Sequence, residues 1–508
     1  MDTAKEYQTT ELLLNKHLLI NHLSRWLLGC IAFAIMVSIV GSTANEANAS
    51  EVMPETETAD SVTINLPIMF NGIRPNIAQN KFGVQMYFET GNNQDNPYYD
   101  SIVKSGASWV RCNIRWTDIE PVDTDPSRYN WESAQRAVGA NRDGRYNQII
   151  TLEHAPAWFS GPDDGPPLPG QSLDDLAEFM GALAERYDGD GYLDGWKSPV
   201  INHFELYNEP DHQLRWGNDG AAYAEMLSVV YPAIKAANPN AQVLFGGVAM
   251  DWFTDVQEGD AFVNPGDFVR TFVDDVFAAG GGQYIDVMAI HQYPAFSAQW
   301  SSTGIGKGLV EKVDATRQIM REYGLDKPIM VTESGTNSNR ANGEEIQSRY
   351  VTELFTQAYA ADVEAMIWFT MYDGDTINNS GQENGLVQQP VTAGAEPYQK
   401  KSLTAFATVV SMLEPAQFQR ELPVTETGTA NMKVYQFINS ATGKTFYVAW
   451  MNPIESTAAV ALSLPGVQAT LTDIYGNVES TVADATDGTV DGRVIISVGG
   501  QPRYIEID

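Results

Sequence analysis

The chain is 508 residues long and 43% hydrophobic, with 65 acidic against 31 basic side chains and two cysteines. That length exceeds one typical domain and supplies ample core material, so a large domain with a smaller companion is the expected plan. A net charge of −34 with no basic stripe argues against nucleic acid as a partner, and two cysteines exclude a disulfide framework.

At the N-terminus Lys5, Lys16 and Arg25 precede an uncharged run over residues 26–40, and Ala47-Asn48-Ala49 follows it. Fifteen largely apolar residues are short for a bilayer core of about 30 Å but suit a secretory signal, with small residues at its cleavage site. Residues 1–49 therefore read as the signal peptide of a secreted protein. The long basic lead-in keeps an uncleaved anchor, and with it a cell-surface location, as the alternative; a membrane is a partner only in that case. Residues 50–78, acidic and rich in Thr and Ala, read as a spacer and lead-in.

From there β-like and helix-like segments alternate. The strands expected are 82–86, 107–114, 147–152, 200–207, 242–247, 284–290, 328–332 and 364–370. The helices between and after them are 98–106, 131–140, 172–187, 221–237, 265–279, 308–323, 344–361 and 398–413. Ser172, with Asp174 and Asp175 in the first turn, caps the third helix, and Asn238-Pro239 ends the fourth. Eight strict β–α alternations point to an α/β protein of the closed (β/α)₈ TIM-barrel type over residues 79–414. An open doubly wound sheet calls for a Gly-rich phosphate loop after its first strand, and residues 82–86 lead into none. After Pro415 the grammar changes to short strands at 434–438, 445–450, 458–464, 470–474, 494–498 and 503–507. Residues 415–508 read as a small antiparallel β-sandwich with a packing or stabilising role, since no exposed aromatic row marks the alternative, sugar binding.

Two of the barrel strands end on a carboxylate. The run Val200 to Tyr207 reads as a buried strand that stops at Asn208-Glu209-Pro210, because proline cannot donate to a ladder. Pro328 to Thr332 likewise delivers Glu333 into a Ser/Gly/Thr/Asn loop. Glutamates so far apart in sequence meet only in a fold that gathers strand ends on one face, as a parallel barrel does at its C-terminal rim. Glycoside hydrolysis with retention needs such a pair, one carboxyl to protonate the leaving oxygen and one to attack the anomeric carbon, about 5–5.5 Å apart. The acid must keep its proton, which a like charge nearby promotes, while an arginine in reach keeps the nucleophile ionised. Arg111, near the rim of the second strand, suits that task. Glu205, four residues before Glu209, reads as a buried polar contact deep in the barrel.

These motifs resemble glycoside hydrolase clan A, the (β/α)₈ retaining glycosidases, over residues 81–413, and the match is similar to families 5 and 39. Leu206-Tyr207-Asn208-Glu209-Pro210 resembles the clan's Asn-Glu-Pro motif, and Val331-Thr332-Glu333-Ser334-Gly335 its seventh-strand nucleophile motif. The resemblance implies that Glu209 is the acid/base, that Asn208 holds the sugar 2-hydroxyl, and that Glu333 is the nucleophile. It further implies substrate contacts from Arg111, from His154 on strand 3, from His291 and Tyr293 on strand 6, and from Trp368 on strand 8 as an aromatic floor under the sugar. No zinc-ligand spacing and no Gly-X-Ser-X-Gly elbow occurs, so neither a metal nor a cofactor is expected.

The function expected is a retaining glycoside hydrolase for β-linked, mostly neutral carbohydrates. The alternatives are a non-catalytic carbohydrate-binding barrel and a transglycosylase using the same residues. Selectivity is expected in the loops 160–171, 251–264, 295–306 and 372–394, with 161–170 bordering the cleft.

Overall fold

The computed structural model describes residues 80–87, 97–139, 141, 144–161, 164–196, 198–213, 215–216, 219–251, 253, 269–293, 308–339, 343–373, 383–388 and 397–508. The leader and spacer readings, and most of loops 251–264, 295–306 and 372–394, lie outside these residues. Among the described residues no helix is long and apolar enough to cross a membrane.

Eight strands form the central sheet: β1 (Phe82–Met86), β2 (Trp109–Arg115), β3 (Asn147–Glu153), β4 (His203–Glu205), β5 (Gln242–Leu244), β6 (Met288–His291), β7 (Ile329–Ser334) and β8 (Ala365–Trp368). All pairings are parallel, in the order β5-β4-β3-β2-β1-β8-β7-β6. The ring closes between β5 and β6 through isolated bridges, Leu244 to Val287 and Val248 to Ile290. The expected (β/α)₈ barrel is the observed one.

The barrel floor is filled by Trp109, Ile149, Leu244, Val287, Ala289, Met330, Ala365 and Ile367, the inward set that strand alternation selects. Gly83 on β1 belongs to this crowded layer, where a Cβ would overlap Ile367 and Trp109. Outside the strands, helices such as Leu173–Arg186, Gly220–Ala237 and Gly343–Ala360 cover the outward apolar faces. Ser172 caps the first of these as its sequence suggested: its hydroxyl accepts from Asp174 N–H while Asp175 reaches back to the Ser172 N–H.

Several strands differ from expectation; β5, for one, spans Gln242–Leu244 rather than 242–247. β4 spans three residues rather than eight, because Tyr207 and Glu209 adopt φ of 68° and 47° and turn the chain out of extended geometry. β6 begins only at Met288, since Gly281–Tyr284 forms a 3₁₀ turn.

Beyond the barrel, β9 (Val387–Gln388) and β10 (Tyr398–Gln399) make a short antiparallel pair before the helix Lys401–Leu413. Eight further strands follow: β11 (Ala416–Glu421), β12 (Met432–Asn439), β13 (Thr445–Met451), β14 (Val460–Pro465), β15 (Gln468–Thr472), β16 (Val478–Ala483), β17 (Arg493–Val498) and β18 (Arg503–Ile507). β11 and β16 were not legible in the sequence. Six of the eight form a sheet in the order β11-β12-β13-β18-β15-β16, and the β14–β17 ribbon covers one of its faces.

Alternation then assigns the two faces separate duties. Met432, Val434, Tyr447, Ala449, Leu471 and Ile505 pack under the ribbon's Leu462, Leu464, Val494 and Ile496. Tyr435, Phe437, Phe446, Val448, Trp450 and Tyr504 belong instead to the large core shared with the barrel. Polar ties reinforce that contact: Arg349 donates to the Ile454 carbonyl at 3.1 Å, and Tyr475 donates to Glu345 at 2.6 Å. This face of the sheet is thus in packed contact with the barrel.

Trp450 is fully buried and stacks on Tyr435 with ring centroids 5.2 Å apart. Trp450→Ala is expected to lower stability by about 3–5 kcal/mol, as deletion of a large buried ring does. Urea denaturation followed by far-UV circular dichroism measures this, and a change near zero would mean the sheet contributes nothing to the barrel.

Candidate active site

The site grows from one buried cation. Inward alternation along β2 aims Trp109 at the floor, Arg111 at the middle of the barrel and Asn113 at its mouth. The Arg111 side chain is fully buried, and each nitrogen finds an acceptor. Nε donates to Glu205 at 2.6 Å, Nη1 to Gln85 at 3.0 Å and Glu333 at 2.7 Å, and Nη2 to Asn208 at 2.7 Å. Burial alone works against the guanidinium charge, but Glu205 and Glu333 outweigh it and hold the group more firmly protonated than a free arginine. Glu205 is itself steadied by Thr151, whose hydroxyl donates to it at 2.6 Å. The expected deep polar role of Glu205 is thus the anchoring of Arg111.

Glu333 ends β7, where the strand register against both neighbours shifts. One carboxylate oxygen accepts from Arg111, and the other accepts from the Tyr293 hydroxyl at 2.9 Å. Glu209 follows β4 on the turned segment, with its N–H donating to the Gly247 carbonyl at 3.0 Å. Gly247 is required there, because a Cβ would overlap His291 Nε2 and Thr332 Oγ1. The Glu209 carboxylate lies 2.9 Å from His291 Nδ1, and Glu333 lies 3.6 Å from the same atom. One oxygen from each glutamate and a His291 ring nitrogen all fall within 4.8 Å of one another.

Protonation follows from these contacts. Burial drives the His291 imidazole down, but the two glutamates more than compensate and raise it above its ordinary value. Burial drives the Glu209 carboxyl up, yet the His291 hydrogen bond and charge, with Arg215 and His212 behind them, leave it lowered. Within this pair the proton therefore favours the imidazole. The sequence argument, which relied on a like charge to keep Glu209 protonated, missed this partner.

A divalent cation does not suit the glutamate–histidine group. Arg111 already places a permanent positive charge on Glu333, and His291 carries a second one. Asp188, Asp190 and Asp194 also cluster, in a half-exposed to exposed loop, where Asp194 accepts from the N–H groups of Gly189 and Gly191.

Of the residues singled out in the sequence, the structure hydrogen-bonds Arg111, Asn208, Tyr293 and Glu333 into one group and Glu209 with His291 into another, and the two groups meet where His291 lies 3.6 Å from Glu333. His154 stands apart. Its φ of 51° turns the chain at the end of β3, its ring is 53% exposed, and it approaches Glu153 at 3.9 Å rather than Glu209 or Glu333. Asp164 pins this turn, accepting from the N–H groups of His154 and Ala155.

Trp368 requires a correction. It is fully buried and points outward from β8 against Tyr350, with its indole N–H bonded to the Asn384 carbonyl. Ala365 and Ile367 face the barrel interior, so alternation turns Trp368 away and brings Phe369 inward. Phe369 is half-buried beside Glu333, its N–H donating to the Ser334 carbonyl, and its ring meets Tyr87 edge-on at 6.0 Å. The inward aromatic at the end of β8 is Phe369, and applying the period-2 rule to Ala365-Met366-Ile367 would have found it.

The family model described as cellulase (glycosyl hydrolase family 5) matches residues 72–374, more than half the chain. The chain belongs to glycosyl hydrolase family 5. Its barrel is also similar to solved structures. A family 39 glycoside hydrolase from Bacteroides cellulosilyticus WH2 aligns at 22% identity and TM-score 0.63, over 84% of this chain and 81% of that one. A glucosidase from Croceicoccus marinus aligns at 14% identity and TM-score 0.57, over 85% and 96%. The endo-beta1,6-glucanase BT3312 aligns at 13% identity and TM-score 0.54, over 85% and 91%. At these identities the likeness speaks for the fold. No curated protein matches the sequence. This family 5 chain is a glycoside hydrolase, with carbohydrate as its substrate class.

The two neighbouring aromatics of this glycosidase separate cleanly in experiment. Phe369→Ala is expected to weaken sugar binding by about 0.5–1.5 kcal/mol with the fold intact, whereas Trp368→Ala is expected to cost about 3–5 kcal/mol of stability. Titration calorimetry and thermal melts on both variants decide it; the reverse pattern would return the floor to Trp368.

Proposed function

We propose that the enzyme is a retaining glycosidase for β-linked, mostly neutral sugars, with Glu333 as nucleophile and Glu209 as acid/base. The observation that carries the reading is the closeness of the two carboxylates, with an oxygen of each inside a 4.8 Å group. Retaining enzymes hold their carboxyls about 5–5.5 Å apart, whereas inverting enzymes leave about 6.5–9.5 Å for a water.

The environments of the two glutamates support distinct roles. Glu333 is oriented from both sides, by Arg111 and by Tyr293, and neither contact delivers a proton to the leaving group. Arg111 and Tyr293 keep it ionised and aimed as it attacks the anomeric carbon, the glycosidic bond breaks and the leaving oxygen takes the proton of Glu209. Glu209 is the more open of the two, its side chain 24% exposed, and it is the one joined to a proton reservoir. A sugar oxygen approaching Glu209 receives the proton that His291 returns through Nδ1; in the second half-reaction Glu209 takes a proton from water. Asn208 spends its amide oxygen on Arg111, which leaves its N–H groups for a sugar hydroxyl. Phe369 offers a face to the ring's C–H groups.

The pair's protonation predicts a bell-shaped pH profile. Turnover needs one proton on Glu209–His291. A second is gained as pH falls through the Glu209 value, lowered from 4.5, and the first is lost as pH rises through the His291 value, raised from 6.5. His291→Asn is expected to move the alkaline limb of kcat/KM to lower pH by on the order of one unit, since Glu209 must then hold its proton alone. An unmoved limb would place the reservoir elsewhere.

The roles themselves are tested by chemical rescue. Glu333→Gln is expected to abolish turnover on every substrate. Glu209→Ala is expected to cost about 10²–10⁴ on substrates with poor leaving groups, yet to form the glycosyl-enzyme readily from an activated aryl glycoside. Azide, which needs no base, then rescues Glu209→Ala and gives a β-glycosyl azide through two inversions. Rescue of Glu333→Ala gives the α-glycosyl azide through one. Swapped anomers would reverse the two assignments, and inverted product from the wild type would end the retaining reading.

A further inference from the structure

One carboxylate at the barrel mouth has no part in the double displacement. Glu153 is the last residue of β3, and it is the next inward position after Ile149 in the floor and Thr151 against Glu205. Its side chain is 12% exposed, so one small face is open. The strand ends immediately beyond it, where the φ of His154 turns the chain away.

Glu153 is held in place by the same guanidinium that grips Glu333. Arg111 Nη1 donates to Gln85, and Gln85 Nε2 donates to Asn113 Oδ1 at 2.7 Å, while the Asn113 amide and the Arg111 charge both act to lower the Glu153 carboxyl. Two amides thus relay the position of Arg111 to a third carboxylate. Burial pushes this carboxyl above its usual range, with Arg111, Arg215, the Asn113 hydrogen bond and His154 pulling against it. Among the described residues its nearest basic side chain in an ion-pair contact is His154, whose Nε2 lies 3.9 Å away, so no tight ion pair uses up its oxygens. An ionised carboxylate has room for about four hydrogen-bond donors, and most of that capacity is unspent.

We propose that Glu153 is a specificity-determining residue that accepts a hydrogen bond from a ring hydroxyl of the sugar seated over Arg111 and Glu333. The proposal rests on the hydrolase reading and adds the group by which the enzyme selects its sugar. A hydroxyl, rather than an ammonium group, fits the site because the permanent charges of Arg111 and Arg215 already act on Glu153. A hydroxyl donor also relieves the cost of burying the carboxylate, so a sugar lacking it leaves that group unpaired.

The test is a cycle between enzyme and substrate. Wild type, Glu153→Ala and Glu153→Gln are assayed on 4-nitrophenyl β-glycosides and β-diglycosides of gluco, manno and xylo configuration, then on monodeoxy forms of the best substrate. Glu153→Ala is expected to lower kcat/KM on the parent about 10- to 100-fold, and Glu153→Gln less, because its amide oxygen still accepts. For one monodeoxy substrate the wild type should lose a similar factor and Glu153→Ala should lose nothing further. Losses that multiply for every deoxy substrate, in both variants, would make Glu153 a structural residue and overturn the proposal while the hydrolase reading stands. A wild type inactive on all these glycosides would overturn that reading first, and this assignment with it.

Discussion

A charged guanidinium buried at the centre of a barrel is tolerable only if every one of its donors is met, and that requirement organises this enzyme. Removing such a charge from water costs several kcal/mol, which the protein offsets with hydrogen bonds and countercharge rather than with hydration. Arg111 is answered from β1 by Gln85, from β4 by Glu205, from the turn after β4 by Asn208 and from β7 by Glu333. Each acceptor is thereby fixed in turn. Orientation of the nucleophile, the sugar-facing amide and the amide relay to Glu153 are consequences of satisfying one side chain. The apolar floor beneath it, from Trp109 to Ile367, keeps water from satisfying it instead.

Much of this was legible from sequence, and the limits have physical causes. Strand-end glutamates stand out because short apolar runs stop abruptly at them, and Arg111 stands out as a charge within such a run. The barrel follows from alternation alone. The extent of β4 did not, because nothing in Leu206-Tyr207-Asn208-Glu209 announces that two of its residues take positive φ. The Trp368 assignment failed by a single position, and in a strand a single position is a change of face. The Gln85–Asn113 relay and the His291 contact were out of reach because they join strands far apart in the chain; no local pattern encodes them.

The C-terminal sheet is part of the same economy of faces. The helix Gly343–Ala360 is buried along most of its length because it serves two cores: Tyr350 and Phe355 pack toward the barrel strands, while Arg349 and Glu345 tie to the sheet side. Tyr350 also backs Trp368 and hydrogen-bonds Ser334, the neighbour of Glu333. The sheet therefore stiffens the wall behind the nucleophile, although it is remote from the cleft.

The seam of the barrel lies between β5 and β6, where continuous ladder pairing gives way to isolated bridges. Glu209 stands on the β4–β5 side of that seam and His291 on the other, so their hydrogen bond works as a side-chain latch beside the backbone bonds that cross there. A latch made of a shared proton has a setting. When the imidazole and carboxylate carry opposite charges the seam is drawn together; when the proton is handed to a leaving group, the electrostatic part of that pull is lost. The pull across this joint thus rises and falls with the chemical state of the site, while Arg111, bonded to β1, β4 and β7 at once, keeps a fixed frame for the sugar.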